Sequence, residues 1–228
     1  MQPPFPPIEP AAARVDLPDA HRANRDGIVA LSRTMSAGLV LQAYRKGIFP
    51  WPVAQGIVPW ASPDPRAVFP LEHSAPWPRH VRRALKLPFQ VTFDQAFTEV
   101  MQACGSERDE GTWITPDVLS SYAELYRLGW AHSVEVWFEG KLAGGLYGIA
   151  VGSLFAGESM FHRTTGASKV AFARMVERLR ARVPGPGRAG DVGASADPRL
   201  RRGEPRRVPE AGRAVRRRID PFLRERAW

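Results

Sequence analysis

Three observations predict an α+β fold for this chain. Ser133 to Phe161 alternates apolar with polar or small residues across two glycine-containing turns, the pattern of an antiparallel meander. Segments of helical period flank it, one opening at Thr115-Pro116-Asp117 and one running from about Ala167 to Arg180. Gly38 to Pro78 is rich in proline and tryptophan, which predicts irregular chain braced by aromatic packing, because prolines remove backbone donors and fix turns. Sheet plus packed helices is the α+β class.

In chain order, Leu39 to Arg45 reads as a short helix with Gly47 as its carboxy-terminal cap. Pro88 to Thr92 reads as a strand, and Asp94 starts a helix through Phe97, Val100 and Met101 to Ala103. At Thr115 a hydroxyl cap precedes a proline at the first helical position and an acid in the first turn. Leu119, Tyr122 and Leu125 then form one apolar stripe, which Gly129 stops. Val134, Val136 and Phe138 share a strand face, Glu139-Gly140 turns the chain into Leu142 to Val151, and Gly152-Ser153 turns it into Leu154 to Phe161. The last helix places Phe172, Val176 and Leu179 on one side. No internal repeat is visible.

At 228 residues, 44% hydrophobic and 24% charged, the chain can bury a sizeable core, which excludes a disordered polymer. Leu142 to Gly157 is dotted with glycines and falls short of the roughly 20 apolar residues that span a bilayer, so no transmembrane helix is expected. Met1 to Pro10 is proline-rich, without the basic start or apolar core of a secretory signal, and the chain reads as cytoplasmic. Cys104 is the only cysteine, which excludes an intrachain disulfide and a cysteine-rich zinc site and leaves it as a core thiol. The net charge of +9 is uneven: residues 1 to 180 hold 19 Lys+Arg against 17 Asp+Glu, whereas residues 181 to 228 hold 13 Arg against 6 acids. That tail has no lysine, six glycines, six prolines and seven alanines, and no sustained helical or strand period.

Few residues stand out as chemistry. Glu158, in Gly157-Glu158-Ser159-Met160-Phe161, sits on a strand among apolar and small neighbours. It reads either as a carboxylate in a pocket wall, poised for a cation or an amine, or as an edge-strand acid facing water. Trp51, Trp60 and Trp113 offer flat faces to a nucleobase or serve core packing. His132 and His162 lack partners at metal-ligand spacing, so no metal site is expected. Gly144-Gly145 and Gly148 fit neither a Walker loop nor a dinucleotide fingerprint. Arg79, Arg82, Arg83 and Lys86 space cations along a possible helix or turn, for phosphates or as a solvated face.

Three blocks resemble the leucyl/phenylalanyl-tRNA–protein transferase family: Ala43-Tyr44-Arg45-Lys46-Gly47-Ile48-Phe49-Pro50-Trp51, then Gly111-Thr112-Trp113-Ile114-Thr115-Pro116, and the run from Ala131 to Phe161. Trp60 to Arg66 and Ala167-Ser168-Lys169 add to a likeness that covers about Leu39 to Arg180. The resemblance implies a small amino-terminal domain joined to an acetyltransferase-like carboxy-terminal domain, without coenzyme A, metal or ATP. It implies transfer of Leu or Phe (or Met) from its tRNA to proteins that begin with Arg or Lys, marking them for degradation under the N-end rule. It also implies that Trp51 and Trp113 flank the terminal adenosine and aminoacyl end. Leu146, Phe155 and Met160 would line a pocket that rejects β-branched side chains, and Glu158 would face the acceptor's cation. On this basis the chain divides into a partly disordered extension (1–37), a small Pro/Trp-rich domain (38–92), a catalytic domain (93–181) and an aberrant, disordered tail (182–228), in a monomer.

Two departures qualify the likeness. Ser32-Arg33-Thr34-Met35-Ser36 stands where the family carries Gly-Gly-Asp-Leu, and the family's Asp-x-Gln motif, whose glutamine assists deprotonation, falls by spacing on Arg188-Ala189-Gly190 and is absent. The genetic code suggests why. Gly187-Arg188-Ala189-Gly190 written GGN CGN GCN GGN and read one base later becomes GNC GNG CNG, which spells Asp-Val-Gln at the family's spacing. The same offset gives family-like residues across Arg182 to Pro186 and Ala194 to Arg199. A shifted frame from about codons 180 to 182 therefore accounts for the tail and would leave an altered, impaired catalytic domain. The alternative is a natural Arg-rich tail on a non-enzymatic RNA-binding protein.

Overall fold

The computed structural model describes residues 2–51, 56–64, 66, 68–69, 71, 76–106 and 114–182. Its central element is the expected meander. Strands β4 (Gln90–Phe93), β5 (Ala131–Phe138), β6 (Lys141–Val151) and β7 (Leu154–His162) pair antiparallel in that order. Glu139 and Gly140 both take positive φ, 50° and 72°, as a two-residue hairpin whose twist matches its strands requires.

Both faces of this sheet are covered. On one side pack α1 (Ala37–Arg45), α3 (Phe97–Ser106) and α4 (Pro116–Arg127), burying Leu41, Phe97, Tyr122, Leu125, Tyr147 and Ile149 in one cluster. On the other, α5 (Ala167–Arg182) lays Val170, Ala171 and Met175 against Val134, Val136 and Leu146. Each large side chain taken from water contributes about 1.5–3 kcal/mol, which is why β6 is buried along most of its length. Two glycines of β6 permit the close packing. A Cβ at Gly144 would lie 2.6 Å from that of Ala167, and one at Gly145 would lie 2.7 Å from the Val134 carbonyl. Cys104 is buried in the first cluster, the core thiol expected.

The helix ends follow local chemistry. Thr115 caps α4 by accepting from the Val118 N–H, and Ser36 caps α1 by accepting from Leu39. Gly47 (φ 73°) and Gly129 (φ 87°) take the left-handed conformation just past α1 and α4. Asp94 departs from expectation. It starts no helix: it turns at φ 58°, α3 begins at Phe97, and the buried Asp94 carboxylate accepts from the Ser133 N–H at 2.9 Å. His132 Nδ1 lies 3.1 Å from the same carboxylate, a structural pairing.

The amino-terminal third holds more structure than its composition suggests. Strands β1 (Ile28–Ser32), β3 (Val58–Ala61) and β2 (Phe49–Pro50) form a small antiparallel sheet in that spatial order. Two of these strands lie inside the proline-rich stretch read as irregular, and the third inside the segment read as a partly disordered extension. Three strands of two to five residues leave almost no alternation to detect. The pairing survives its prolines because Pro59 still offers a carbonyl, which accepts from the Trp51 N–H at 2.8 Å. Ahead of β1 the chain lies along α1. Leu17 is buried, its N–H donates to Gln42 Oε1 at 2.9 Å, and Glu9 pairs with Arg45 and Asp16 with Lys46. The cations of 79–86 begin on a short helix, α2 (Arg79–Ala84), with Val81 and Ala84 buried and Arg79, Arg82 and Arg83 outward. No helix among the described residues is long and apolar enough to cross a membrane. The tail expectation lies outside the described residues.

Candidate active site

Glu158 owes its position to a fault in the sheet. Tyr147 of β6 pairs with Ser159 and the next residue, Gly148, pairs with Gly157, so Glu158 is the extra residue of a β-bulge. A bulge re-aims a side chain that strict alternation would fix. Here the carboxylate turns toward α1 and α4. Tyr44, in the last turns of α1, donates its hydroxyl to Glu158 Oε1, and Tyr122 of α4 donates to Oε2 at 3.1 Å. The two phenol oxygens are 3.2 Å apart. One lone-pair direction on each carboxylate oxygen is thus occupied by a phenol, leaving another on each for a planar or cationic donor.

Burial pushes the Glu158 carboxyl up to about 7, against the phenol hydrogen bonds and the charge of Arg66, which pull it down. Burial also drives both phenols well above the usual tyrosine range, and the Glu158 charge adds to this. Tyr44 and Tyr122 therefore stay protonated and keep donating. The site is a carboxylate balanced near neutrality, able to ionise when a cation arrives.

The aromatic surface is separate. Trp51 is 48% exposed and sits 5.7 Å, centroid to centroid, from Phe49. The Arg66 guanidinium lies 3.9 Å over the other's ring, that of Phe49. Trp60 is fully buried and donates Nε1–H to Ser32 Oγ at 2.9 Å, so it is a packing residue. Trp113 lies outside the described residues, as does the Arg188 to Gly190 position. Leu146, Phe155 and Met160 gather in the cluster under α5, with Leu146 opposite Met160 in register. They are on the far side from the helices that hold Glu158. The described residues contain no group of three or more His, Cys, Asp or Glu that could hold a metal ion.

Sequence reasoning did not single out Tyr44, Tyr122 or Arg66. Tyr122 lay hidden in an apolar stripe, and Tyr44 and Arg66 were parts of motifs rather than chosen residues. The usable signal was Tyr44 in an otherwise aliphatic helix stripe beside a glycine cap.

Comparison with known proteins agrees with this layout. Residues 33–64 match the model of the leucyl/phenylalanyl-tRNA protein transferase N-terminal domain, and residues 68–184 match that of leucyl/phenylalanyl-tRNA protein transferase. A leucyl/phenylalanyl-tRNA–protein transferase of Syntrophobacter fumaroxidans is 49% identical over 167 residues, 71% of this chain and 70% of its own. One of Azotobacter vinelandii is 49% identical over 179 residues, 77% and 74% of the two chains. The chain belongs to the leucyl/phenylalanyl-tRNA–protein transferase family. Within this transferase, Tyr44 falls in the first matched region and Tyr122 and Glu158 in the second, so the Tyr44–Glu158 hydrogen bond joins the two. The likeness read from the sequence is therefore correct.

The raised carboxyl gives a pH prediction. Binding of a small cationic probe such as arginine amide at Glu158 is expected to tighten as pH rises from 6 to 8, because ionised Glu158 becomes the majority above about 7. Calorimetric titration of the wild type and Glu158→Gln checks it: the variant's affinity should be flat. The stability sign is opposite. Between about 4.5 and 7 the folded state holds a proton that the unfolded state has lost, so this group costs stability as pH rises through that window. Glu158→Gln should be at least as resistant to denaturant as the wild type at pH 8.

Proposed function

We propose that the protein moves a leucyl or phenylalanyl (or methionyl) group from its tRNA to the α-amine of acceptor proteins that begin with Arg or Lys, marking them for degradation in the cytoplasm. The observation that carries this reading is the bulged Glu158, bonded by two phenols and open to a cation, in a chain of this family. The chemistry needs no ATP or coenzyme, because the aminoacyl ester is already activated. The acceptor amine attacks the ester carbonyl, the new C–N bond replaces the C–O bond to the tRNA, and the amine's proton ends on the released 3′-oxygen. The protein supplies alignment and proton transfer.

In this reading Glu158 holds the acceptor's cationic side chain and Trp51 with Trp113 holds the terminal adenosine; Leu146, Phe155 and Met160 pack on the other face of the sheet and take no part in it. The open cleft lined by Arg79, Arg82, Arg83 and Lys86 offers four cations to tRNA phosphates. The small sheet of β1 to β3 and the sheet of β4 to β7 mark two domains, the second acetyltransferase-like, in a monomer. The tail from 182 is a shifted reading frame that leaves the enzyme impaired. Its composition and the end of the family match at residue 184 support that reading.

The test is transfer of labelled Leu from tRNA to an Arg-starting protein; no transfer by the frame-restored chain overturns the assignment. In the restored chain, Trp51→Ala is expected to raise the KM for aminoacyl-tRNA roughly tenfold, since stacking contributes about 1–3 kcal/mol per base, with the acceptor KM unchanged.

A further inference from the structure

We propose that Arg66, which shares Phe49 with the Trp51 platform, is an anion site for the phosphate of the terminal nucleotide. This rests on the reading that Trp51 takes the terminal adenosine. The central carbon of the Arg66 guanidinium lies over Phe49, 3.9 Å from the ring centroid, and Phe49 is in turn 5.7 Å from Trp51. A cation–π contact holds a guanidinium in place and uses none of its five N–H donors. Arg66 is exposed, so its side chain is open to an arriving ligand. A half-exposed indole beside a guanidinium held in place is the pairing that grips a nucleotide: the ring takes the base and the fork takes the phosphate.

The surroundings give such a cation a purpose. The charge of Arg66 pulls the Glu158 carboxyl down. A phosphate brought to this end of the site would meet repulsion from that carboxylate, and a guanidinium at this position offsets it. A neutral residue there would leave two anions facing each other.

The probes are AMP and adenosine, titrated by ligand-observed NMR against the full chain at low salt. Wild type should bind AMP roughly tenfold more tightly than adenosine, the size of one charge-assisted contact, and the gap should narrow as salt rises. Arg66→Gln should abolish the gap and leave adenosine binding unchanged, which also shows that the variant is folded. Arg66→Lys should restore part of it, since an ammonium keeps the charge without the planar stack. Equal binding of AMP and adenosine by the wild type overturns the proposal alone. A gap that survives Arg66→Gln does the same and leaves Arg66 as a counter-charge for Glu158. Failure of both probes to bind overturns the Trp51 reading together with it.

Discussion

Glu158→Gln is expected to lower kcat/KM for Arg-starting acceptors by roughly 10- to 100-fold, while aminoacyl-tRNA binding stays within about twofold. The size follows from replacing a charge-assisted pair, about 1.5–3 kcal/mol, by a neutral contact in a partly dry site. The selectivity follows from placement. Glu158 is tied to Tyr44 and Tyr122, whereas Trp51 and Arg66 are assembled on Phe49. The direction of the carboxylate is set by the two phenols, so Tyr44→Phe, which removes one donor and keeps the ring, should produce a smaller loss of the same kind. The measurements are initial rates over an acceptor series and a separate tRNA-binding titration. Equal loss of tRNA binding and acceptor use would give Glu158 a structural role and remove its assignment to the acceptor.

The elements that carry long periodic signals were legible in the sequence. The meander, α4 with its Thr-Pro-Asp start, and α5 all fall where alternation and helical spacing place them, because both faces of the sheet demand apolar residues over many positions. The small sheet was not legible. Its strands are two to five residues long, and the β1–β3 pairing that builds it out depends on partners some thirty residues apart rather than on local pattern. Asp94 misled for a related reason. An aspartate before an apolar helix suits a cap, but the β4–α3 turn and the buried Ser133 N–H claim its carboxylate first. At the site, Glu158 was visible as an acid out of place on an apolar strand. Its bulge and its two phenols were not, since a register shift leaves no mark in composition and Tyr122 counts as apolar in any stripe.

Restoring the reading frame after codon 180 is expected to raise transferase activity by roughly a hundredfold over the chain as it stands. The reasoning starts from the chemistry: a group that assists proton transfer contributes typically 10²–10⁴ in rate, and by the family resemblance an Asp-x-Gln whose glutamine assists deprotonation would fall on Arg188-Ala189-Gly190, where no side chain can replace the glutamine. It continues in the sheet. Among the described residues β7, which carries Glu158, is the outermost strand of its sheet. By the family resemblance a frame-restored segment would supply strands and a helix to cover this side, so the restored protein should also melt at a higher temperature and aggregate less. Assaying both chains side by side with labelled Leu-tRNA, and resequencing the codons around Arg180 to Arg182, separates the possibilities. Equal activity would mean that the Arg-rich tail is native to a working enzyme. In that case the proton must leave by way of the acceptor's own surroundings or solvent, and Glu158, raised to about 7 and beside the acceptor, becomes the group to examine for that transfer.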